Sequence, residues 1–338
     1  MSKLIAGAGI AALVAGSMAF AQRRERLPAE CRQEIAELCR GAEGGLRSCI
    51  RSALPKLSDS CRKAIGERGA SAPPTPGTRE LAYGDDPKQK FDLLVPAHLL
   101  AHLPANAKRA PMLLFVHGGG WSIGDKRTGV GVKAPYFTAK GWAFASANYR
   151  LVPQATVEQQ AADIASVIAW ARTNAAAHGL DPDTIVLMGH SAGAHLVALV
   201  GTDPRYLAAA GVPMAAVKGV ILLDGAGYDI SGQMRRPGNP VAGMYDAAFG
   251  TDPARQKALS PTLHAATPNV ARWLILPIDR RNDSKAQSEG LAAALRPAGA
   301  SATVIAVPGE SHSSLNKGLG EEGDFATGEV DKFLAGLR

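Results

Sequence analysis

A serine stands between two glycines in the sequence G-H-S-A-G, residues 189–193. The motif follows the apolar run 184–188 and precedes a helix-like run from Ala194, so it lies where a strand turns into a helix. Such a turn strains the serine backbone, and side chains on the flanking residues would clash with neighbouring backbone. It also exposes the hydroxyl and aims a helix N-terminus at it, which favours developing negative charge. Ser191 is therefore a candidate nucleophile, the alternative being an ordinary glycine-rich turn.

A run of three glycines is the second chemical feature. The sequence H-G-G-G-W, residues 117–121, directly follows the apolar run 112–116 and leaves backbone N–H groups open to approach. An oxyanion hole needs such donors, and the amide of Ala192, just after the nucleophile, would be another. A phosphate-binding loop is the alternative, but the run lacks both the G-K-S/T ending and the G-x-G-x-x-G spacing. The run therefore predicts an oxyanion hole.

A serine nucleophile also needs a general base and an acid that orients this base. His312 lies in a loop after the apolar run 302–307 and is the candidate base. The apolar run 273–278 ends in D-R-R-N-D, which offers Asp279 and Asp283 as acids. Asp283 stands where the loop turns into a helix and is the favoured acid, with helix N-cap as its alternative role. Asp279 is the alternative acid, and it could instead pair with a neighbouring arginine.

These residues must be carried by a sheet. Short apolar runs alternate with helical patterns, which include 157–178 and 287–295. The apolar runs are nearly continuous, as expected for strands buried on both faces of a parallel sheet. The alternation predicts an α/β fold with a doubly wound, mostly parallel sheet. The main runs are 112–116, 142–145, 185–188, 220–223 and 273–276.

The N-terminus has the features of a secretory signal peptide. Residues 1–21 combine a basic start, an uncharged apolar middle and a small-residue exit, A-F-A, before a polar segment. A membrane anchor is the alternative, but an apolar run of about 17 residues is at the short limit for crossing a bilayer. We expect an exported protein, periplasmic or extracellular, without stable membrane anchoring after removal of residues 1–21.

All four cysteines fall in a short segment after the predicted signal peptide. In an oxidising compartment an even set of cysteines predicts disulfides, here two, whose pairing the sequence leaves open. Zinc is the alternative, but the segment holds neither a histidine nor a C-x-x-C pair. The predicted domains are a signal peptide (1–21), a disulfide-stapled helical segment (22–66), a Pro/Gly-rich linker (67–79) and a catalytic domain (80–338). The cysteines are Cys31, Cys39, Cys49 and Cys61.

The formal net charge of +7 over 338 residues permits acidic partners without requiring any. We expect a small-molecule substrate, no nucleic-acid partner, no cofactor and no metal. The oligomeric state is left open.

The chain from about residue 83 resembles the α/β-hydrolase superfamily. The resemblance is to the carboxylesterase branch with HGGGW loops, which includes hormone-sensitive-lipase-like, feruloyl-esterase-like and kynurenine-formamidase-like enzymes. Relatives commonly carry His-Gly at the end of the strand before the acid, where this chain has Pro277-Ile278. The motifs that carry the resemblance are Tyr83-Gly84, residues 117–121, 148–153 and 189–193, Asp283-Ser284, Gln287-Ser288, Pro308-Gly309 and His312. The cysteine segment is similar to the cysteine-rich helical repeat of Golgi-type secreted ectodomains.

The resemblance implies a serine esterase that cleaves small carboxylic esters through an acyl-enzyme, and the predicted signal peptide implies that this esterase is exported. Two alternatives are a hydrolase of N-formyl amides, of the arylformamidase type, and a catalytically inactive hydrolase-fold binding protein. The implied site consists of the nucleophile Ser191, the orienting acid Asp283, the base His312, and the oxyanion donors Gly118, Gly119 and Ala192.

Overall fold

The computed structural model describes most of the chain from Leu27 onward. The described residues are 27–40, 49, 53, 56–62, 64, 74–97, 109–236, 241–266 and 268–337. The predicted signal peptide at 1–21 lies outside them, as does part of the predicted linker. Within these residues, none of the helices has the length and hydropathy that a bilayer crossing requires. The predicted domain boundaries stay predictions.

The described part of the chain is built around one sheet. Its strands are β1 (Arg79–Ala82), β2 (Lys90–Leu94), β3 (Ala110–Val116), β4 (Ala143–Ala147), β5 (Leu180–His190), β6 (Val217–Leu223), β7 (Arg272–Leu276) and β8 (Ser301–Val304). The order across the sheet is β1-β2-β4-β3-β5-β6-β7-β8. The pairs β1–β2 and β2–β4 are antiparallel, and the remaining neighbours are parallel. The predicted α/β fold with a mostly parallel sheet is confirmed.

Helices connect the strands. They are α1 (Ala29–Leu38), α2 (Lys133–Ala139), α3 (Val157–Thr173), α4 (Ala175–His178), α5 (Ala192–Thr202), α6 (Pro204–Ala209), α7 (Ile230–Met234), α8 (Ala242–Phe249), α9 (Pro253–Ala258), α10 (Pro261–His264), α11 (Asn282–Leu295), α12 (His312–Gly318) and α13 (Phe325–Ala335). Single turns of 3₁₀-helix lie at Met214–Ala216 and Arg296–Ala298.

Apolar side chains bury both faces of the sheet. Along β3, Leu114 packs in a core with residues of α3 and α5, whereas Phe115 packs in a second core with residues of α2 and α13. Successive strand residues point to opposite faces, so a strand covered on both sides must be apolar at nearly every position. This requirement explains why the strands stand out as continuous apolar runs.

Two predicted helices differ from the observed ones in their bounds. The helix expected over 157–178 is divided, because α3 ends at Thr173 and α4 follows it. Gly179, with φ of 67°, then ends α4 in a left-handed conformation that glycine adopts without steric cost. The helix expected over 287–295 begins five residues earlier, at Asn282, so that it starts in the loop that carries the candidate acids.

The cysteine segment contains the two disulfides that the sequence predicts. The pairing that was left open is Cys31–Cys61 and Cys39–Cys49. Cys31 and Cys61 form a small buried cluster with Ile35 and Leu57, and Ile123 packs against this cluster. The segment thus contacts the loop that immediately follows H-G-G-G-W.

Candidate active site

Ser191 lies in a sharp turn between β5 and α5. Its φ of 57° and ψ of −120° are strained for a residue with a side chain. A methyl group on Gly189 would lie 2.3 Å from the carbonyl oxygen of Gly193, and one on Gly193 would lie 2.2 Å from that of Val116. Only glycine fits at either position, and the backbone that they allow places Ser191 at the start of α5.

The glycine loop lies directly against Ser191. A methyl group on Gly118 would lie 2.9 Å from the Cβ atom of Ser191, so the loop backbone is as close to the serine as glycine permits. Gly119 and Gly120 have φ of 127° and 59°, which favour glycine. The backbone N–H of Ile123 donates to the carbonyl of Gly119 at 3.1 Å and closes the loop.

His117 holds the first part of this loop. Its Nδ1 donates to the carbonyl oxygen of Gly118 at 2.7 Å, and the carbonyl oxygen of His117 accepts from the hydroxyl of Tyr149 at 3.0 Å. The two rings stack with centroids 4.4 Å apart. Burial lowers the pKa of His117 to about 4, so the ring is neutral near pH 7 and shapes the loop without adding charge.

Trp121 closes the loop through a second buried histidine. The indole Nε1 donates to Nδ1 of His195 at 3.2 Å, and Nε2 of His195 donates to the carbonyl of Leu259 at 2.9 Å. This arrangement requires the neutral tautomer with its proton on Nε2. Burial lowers the pKa of His195 to about 4, in agreement with a neutral ring.

His312 is the first residue of α12, and a carboxylate lies against it. Its Nδ1 donates to Oδ2 of Asp224 at 2.6 Å. Asp224 comes directly after β6 with φ of 43°, and its Oδ1 accepts from the backbone N–H of Ile278 at 3.3 Å. Burial by itself raises the pKa of Asp224, but the hydrogen bond from His312 and the charge of Arg281 outweigh it and hold this pKa well below its usual range. Asp224 is therefore ionised and fixes the orientation of the imidazole.

One cavity of about 50 Å³ joins these groups. Ser191, Ala192 and His312 line it together with Gly120 and Trp121 of the glycine loop. A serine, an imidazole backed by a carboxylate and the glycine loop thus meet at one place. Such a set can activate an oxygen nucleophile and stabilise an oxyanion.

Known proteins with similar sequences are esterases. The BD-FAE family model matches residues 100–209. Esterase LipC of Mycobacterium tuberculosis is 36% identical over 133 residues, which are 38% of this chain and 32% of LipC. The probable isoprenylcysteine alpha-carbonyl methylesterase ICME of Oryza sativa subsp. japonica is 28% identical over 70% of this chain and 58% of that protein. The chain therefore spans less than two thirds of the length of either relative.

Solved structures resemble the chain over more of its length. Esterase B from Lactobacillus Rhamnosis superposes with a TM-score of 0.65 at 20% identity, over 92% of this chain and 96% of that one. Esterase 2 of Thermogutta terrifontis, phosphonylated by sarin, gives a TM-score of 0.63 at 25% identity, over 78% of this chain and 96% of that one. The chain has the α/β-hydrolase fold. The fold that the sequence resemblance implied is thus confirmed.

In this chain Asp283, the acid expected from the sequence, does not contact His312. Oδ2 of Asp283 lies 2.9 Å from a terminal nitrogen of Arg281, and the carboxylate on His312 belongs to Asp224. The expectation of Asp283 as the partner of His312 is therefore wrong in this structure, because the loop after β7 places Arg281 between the two. The alternative, Asp279, is held through its backbone N–H, which donates to the carbonyl of Val307 at 3.1 Å.

The sequence did contain an indication of Asp224. It directly follows the apolar run 220–223, as Gly189 and the glycine loop follow theirs, and it stands between Ser191 and His312 in the chain. The carboxyl ends of parallel strands meet at one edge of the sheet, which is where α/β sites form. The end of β6 could therefore supply the acid as well as the end of β7.

The histidine next to Ser191 also contacts His312. The ring of His190 packs against that of His312 with centroids 4.5 Å apart, and its Nε2 donates to the backbone carbonyl of His312 at 2.8 Å. Burial holds the pKa of His190 well below its usual range. His190 is therefore a neutral support for the loop of His312.

Proposed function

We propose that this chain is an exported serine esterase that cleaves small carboxylic esters through an acyl-enzyme. Ser191 is the nucleophile, His312 the base and Asp224, in place of Asp283, the orienting acid. The amides of Gly118, Gly119 and Ala192 are the oxyanion donors. The observation that carries the proposal is the 2.6 Å contact between His312 and Asp224 at the cavity that Ser191 also lines. The esterase relatives support the same reaction class.

The chemistry follows from the proton positions. With one proton on Nδ1, held by Asp224, His312 has its Nε2 free to accept the hydroxyl proton of Ser191 as Oγ attacks the ester carbonyl. Backbone amides hold the resulting oxyanion. The C–O bond to the alcohol then breaks, and the alcohol leaves with the proton from the imidazolium. Water, deprotonated by the same base, attacks the acyl-enzyme and releases the carboxylic acid.

The cavity favours short acyl groups. It is about 50 Å³ in volume, and Val241, Met244 and Tyr245 form part of its wall. The sulfur of Met244 lies 2.3 Å from where a methyl group on Gly120 would be, so this side chain fills the space beside the loop. We expect p-nitrophenyl acetate to be cleaved with a higher kcat/KM than the butyrate and far above the octanoate.

Replacing Ser191 by Ala tests the proposal. The Ser191→Ala variant is expected to lose hydrolysis of p-nitrophenyl acetate and labelling by a fluorophosphonate probe, since both need the hydroxyl. Ser301→Ala makes the same chemical change at an exposed position of β8 and is the control. Unchanged turnover in Ser191→Ala contradicts the mechanism. A wild-type chain that stays unlabelled points to an inactive binding protein, and preference for an N-formyl amide in the same panel points to a formamidase.

Export rests on the predicted signal peptide and on the two disulfides of the described segment. N-terminal sequencing of the chain from the periplasm or medium of an expressing bacterium is expected to start at residue 22. Recovery of the chain only from the reducing cytoplasm, with residues 1–21 still attached, contradicts export.

A further inference from the structure

Arg281 lies between two carboxylates beside the base. One of its terminal nitrogens is 2.8 Å from Oδ2 of Asp224, 3.1 Å from the carbonyl oxygen of the same residue and 3.0 Å from Nδ1 of His312. The other terminal nitrogen donates to Oδ2 of Asp283 at 2.9 Å. The fork of the guanidinium thus holds backbone and side chain of Asp224 at one end and Asp283 at the other.

The contact between Arg281 and His312 is not a hydrogen bond. The 2.6 Å approach of Nδ1 to Oδ2 of Asp224 requires the imidazole proton on Nδ1. Nδ1 then has no lone pair free, so Arg281 cannot donate to it and donates to Asp224 instead. The 3.0 Å contact is therefore one between a fixed positive charge and the ring that must become positive in the reaction.

This charge opposes the reaction unless it is balanced. When His312 takes the proton of Ser191, the imidazolium is stabilised by Asp224 and destabilised by Arg281. With Asp224 and Arg281 alone, the two charges cancel and the base gains little. Asp283 adds a second negative charge and restores the net charge of a lone orienting carboxylate. It also fixes the guanidinium in the position that grips Asp224.

We propose that Arg281 and Asp283 form a positioning pair for the triad, in which Arg281 fixes Asp224 against His312 and Asp283 balances the charge of Arg281. The proposal rests on the proposed function. Both side chains also line the cavity, so the pH profile, rather than KM, reports their effect on His312.

The other groups described around His312 do not supply the charge balance assigned to Arg281 and Asp283. His190 packs on the ring from the turn after β5 and is buried and neutral. Asp224 comes from the end of β6, and Arg281 and Asp283 come from the end of β7. Lys133 of α2 donates to backbone carbonyls of Gly129 and Asn316 rather than to the ring. Glu310 lies two residues before His312 in its own loop.

The test is the pH profile of kcat/KM for p-nitrophenyl acetate. In Arg281→Met the positive charge beside the imidazole is gone, so the acid limb moves to higher pH by about one unit. In Asp283→Asn the charge of Arg281 is unbalanced, so the limb moves to lower pH. Each variant is expected to lower kcat about tenfold, and kcat is measured at saturating substrate because both side chains also line the cavity, so that their replacement changes KM separately. Arg280→Met and Glu289→Gln make the same chemical changes at exposed neighbouring positions and are the controls.

A double variant tests whether Arg281 and Asp283 act together or independently. In Arg281→Met/Asp283→Asn the loss of kcat is expected to be smaller than the product of the single losses, because Asp283 acts through Arg281. Thermal melting of each variant shows whether it is folded, and Asp283→Asn, which keeps the shape of the side chain, remains informative if Arg281→Met is not. Acid limbs that match those of the controls, or losses that multiply, overturn the proposal. Activity of Ser191→Ala overturns the proposed function instead.

Discussion

Changing Asp224 to Asn tests which carboxylate serves the base. Oδ2 of Asp224 accepts from His312 and Arg281, and Oδ1 accepts from the backbone N–H of Ile278. An asparagine can place an acceptor on only one of these two sides. With its oxygen toward His312, its NH₂ faces the N–H of Ile278, so two donors oppose each other. With the amide flipped, NH₂ faces Nδ1 of His312 and forces the proton onto Nε2, where it blocks attack by Ser191.

Either arrangement removes the negative charge that stabilises the imidazolium. Loss of the triad carboxylate in other serine hydrolases lowers kcat by about 10⁴, which corresponds to about 5.4 kcal/mol of activation free energy. We expect a loss of this order for Asp224→Asn, measured as kcat for p-nitrophenyl acetate on the pH plateau. Asp283→Asn is the matched comparison, with an expected loss of about tenfold because its carboxylate reaches the base only through Arg281.

The two variants distinguish Asp224 from Asp283 as the acid that orients His312. Asp224→Asn within tenfold of the wild type, together with a 10⁴-fold loss in Asp283→Asn, would refute the reasoning and return the acid to the loop after β7. Thermal melting curves of both variants show whether a loss of kcat is due to unfolding.

Three further changes follow from the same contacts. Gly118→Ala puts a methyl group 2.9 Å from the nucleophile's Cβ atom and is expected to lower kcat by about 10², whereas Gly290→Ala, with open space around it, is expected to leave kcat unchanged. His195 has its pKa lowered from 6.5 to about 4, so the unfolded chain takes up a proton first and the free energy of unfolding falls as pH drops from 6.5 toward 4; His195→Gln should flatten that fall in urea titrations, and an equal slope would contradict it. Replacing Cys31 and Cys61 together by serine opens a loop with sequence separation 30, and both the melting temperature and kcat are expected to drop, because the glycine loop loses its support; an unchanged kcat in the folded variant would show that the segment does not support the loop.

The parts of the site that are visible in sequence are those fixed by local geometry. Ser191 and the glycine loop stand out because a tight turn and a close backbone approach demand glycine over a few adjacent residues. His312 stands out through its place at a strand end. These features depend on neighbours in the chain, so a single sequence contains the whole signature.

The remaining parts depend on contacts between distant residues. Asp224 and His312 are separated by 88 positions, and the chain order of serine, acid and base fits Asp224 and Asp283 equally well. Whether the acid comes from the end of β6 or from the end of β7 depends on which side chain of the loop after β7 points at His312. In this structure that side chain is Arg281, so the carboxylate comes from the end of β6. The pairing of the four cysteines and the side-chain direction of His190 are likewise set only by tertiary packing.

The three residues of the proposed triad differ in how firmly the sheet holds them. Ser191 and Asp224 directly follow the adjacent strands β5 and β6, and the backbone N–H of Ser191 donates at 3.1 Å to the carbonyl of Leu223, directly before Asp224. His312 instead begins the seven-residue helix α12, after the edge strand β8. Local openings near a sheet edge need less free energy than separation of central strands. We therefore expect heating to displace His312 while Ser191 and Asp224 keep their positions. Esterase activity is then lost below the melting temperature and returns on cooling.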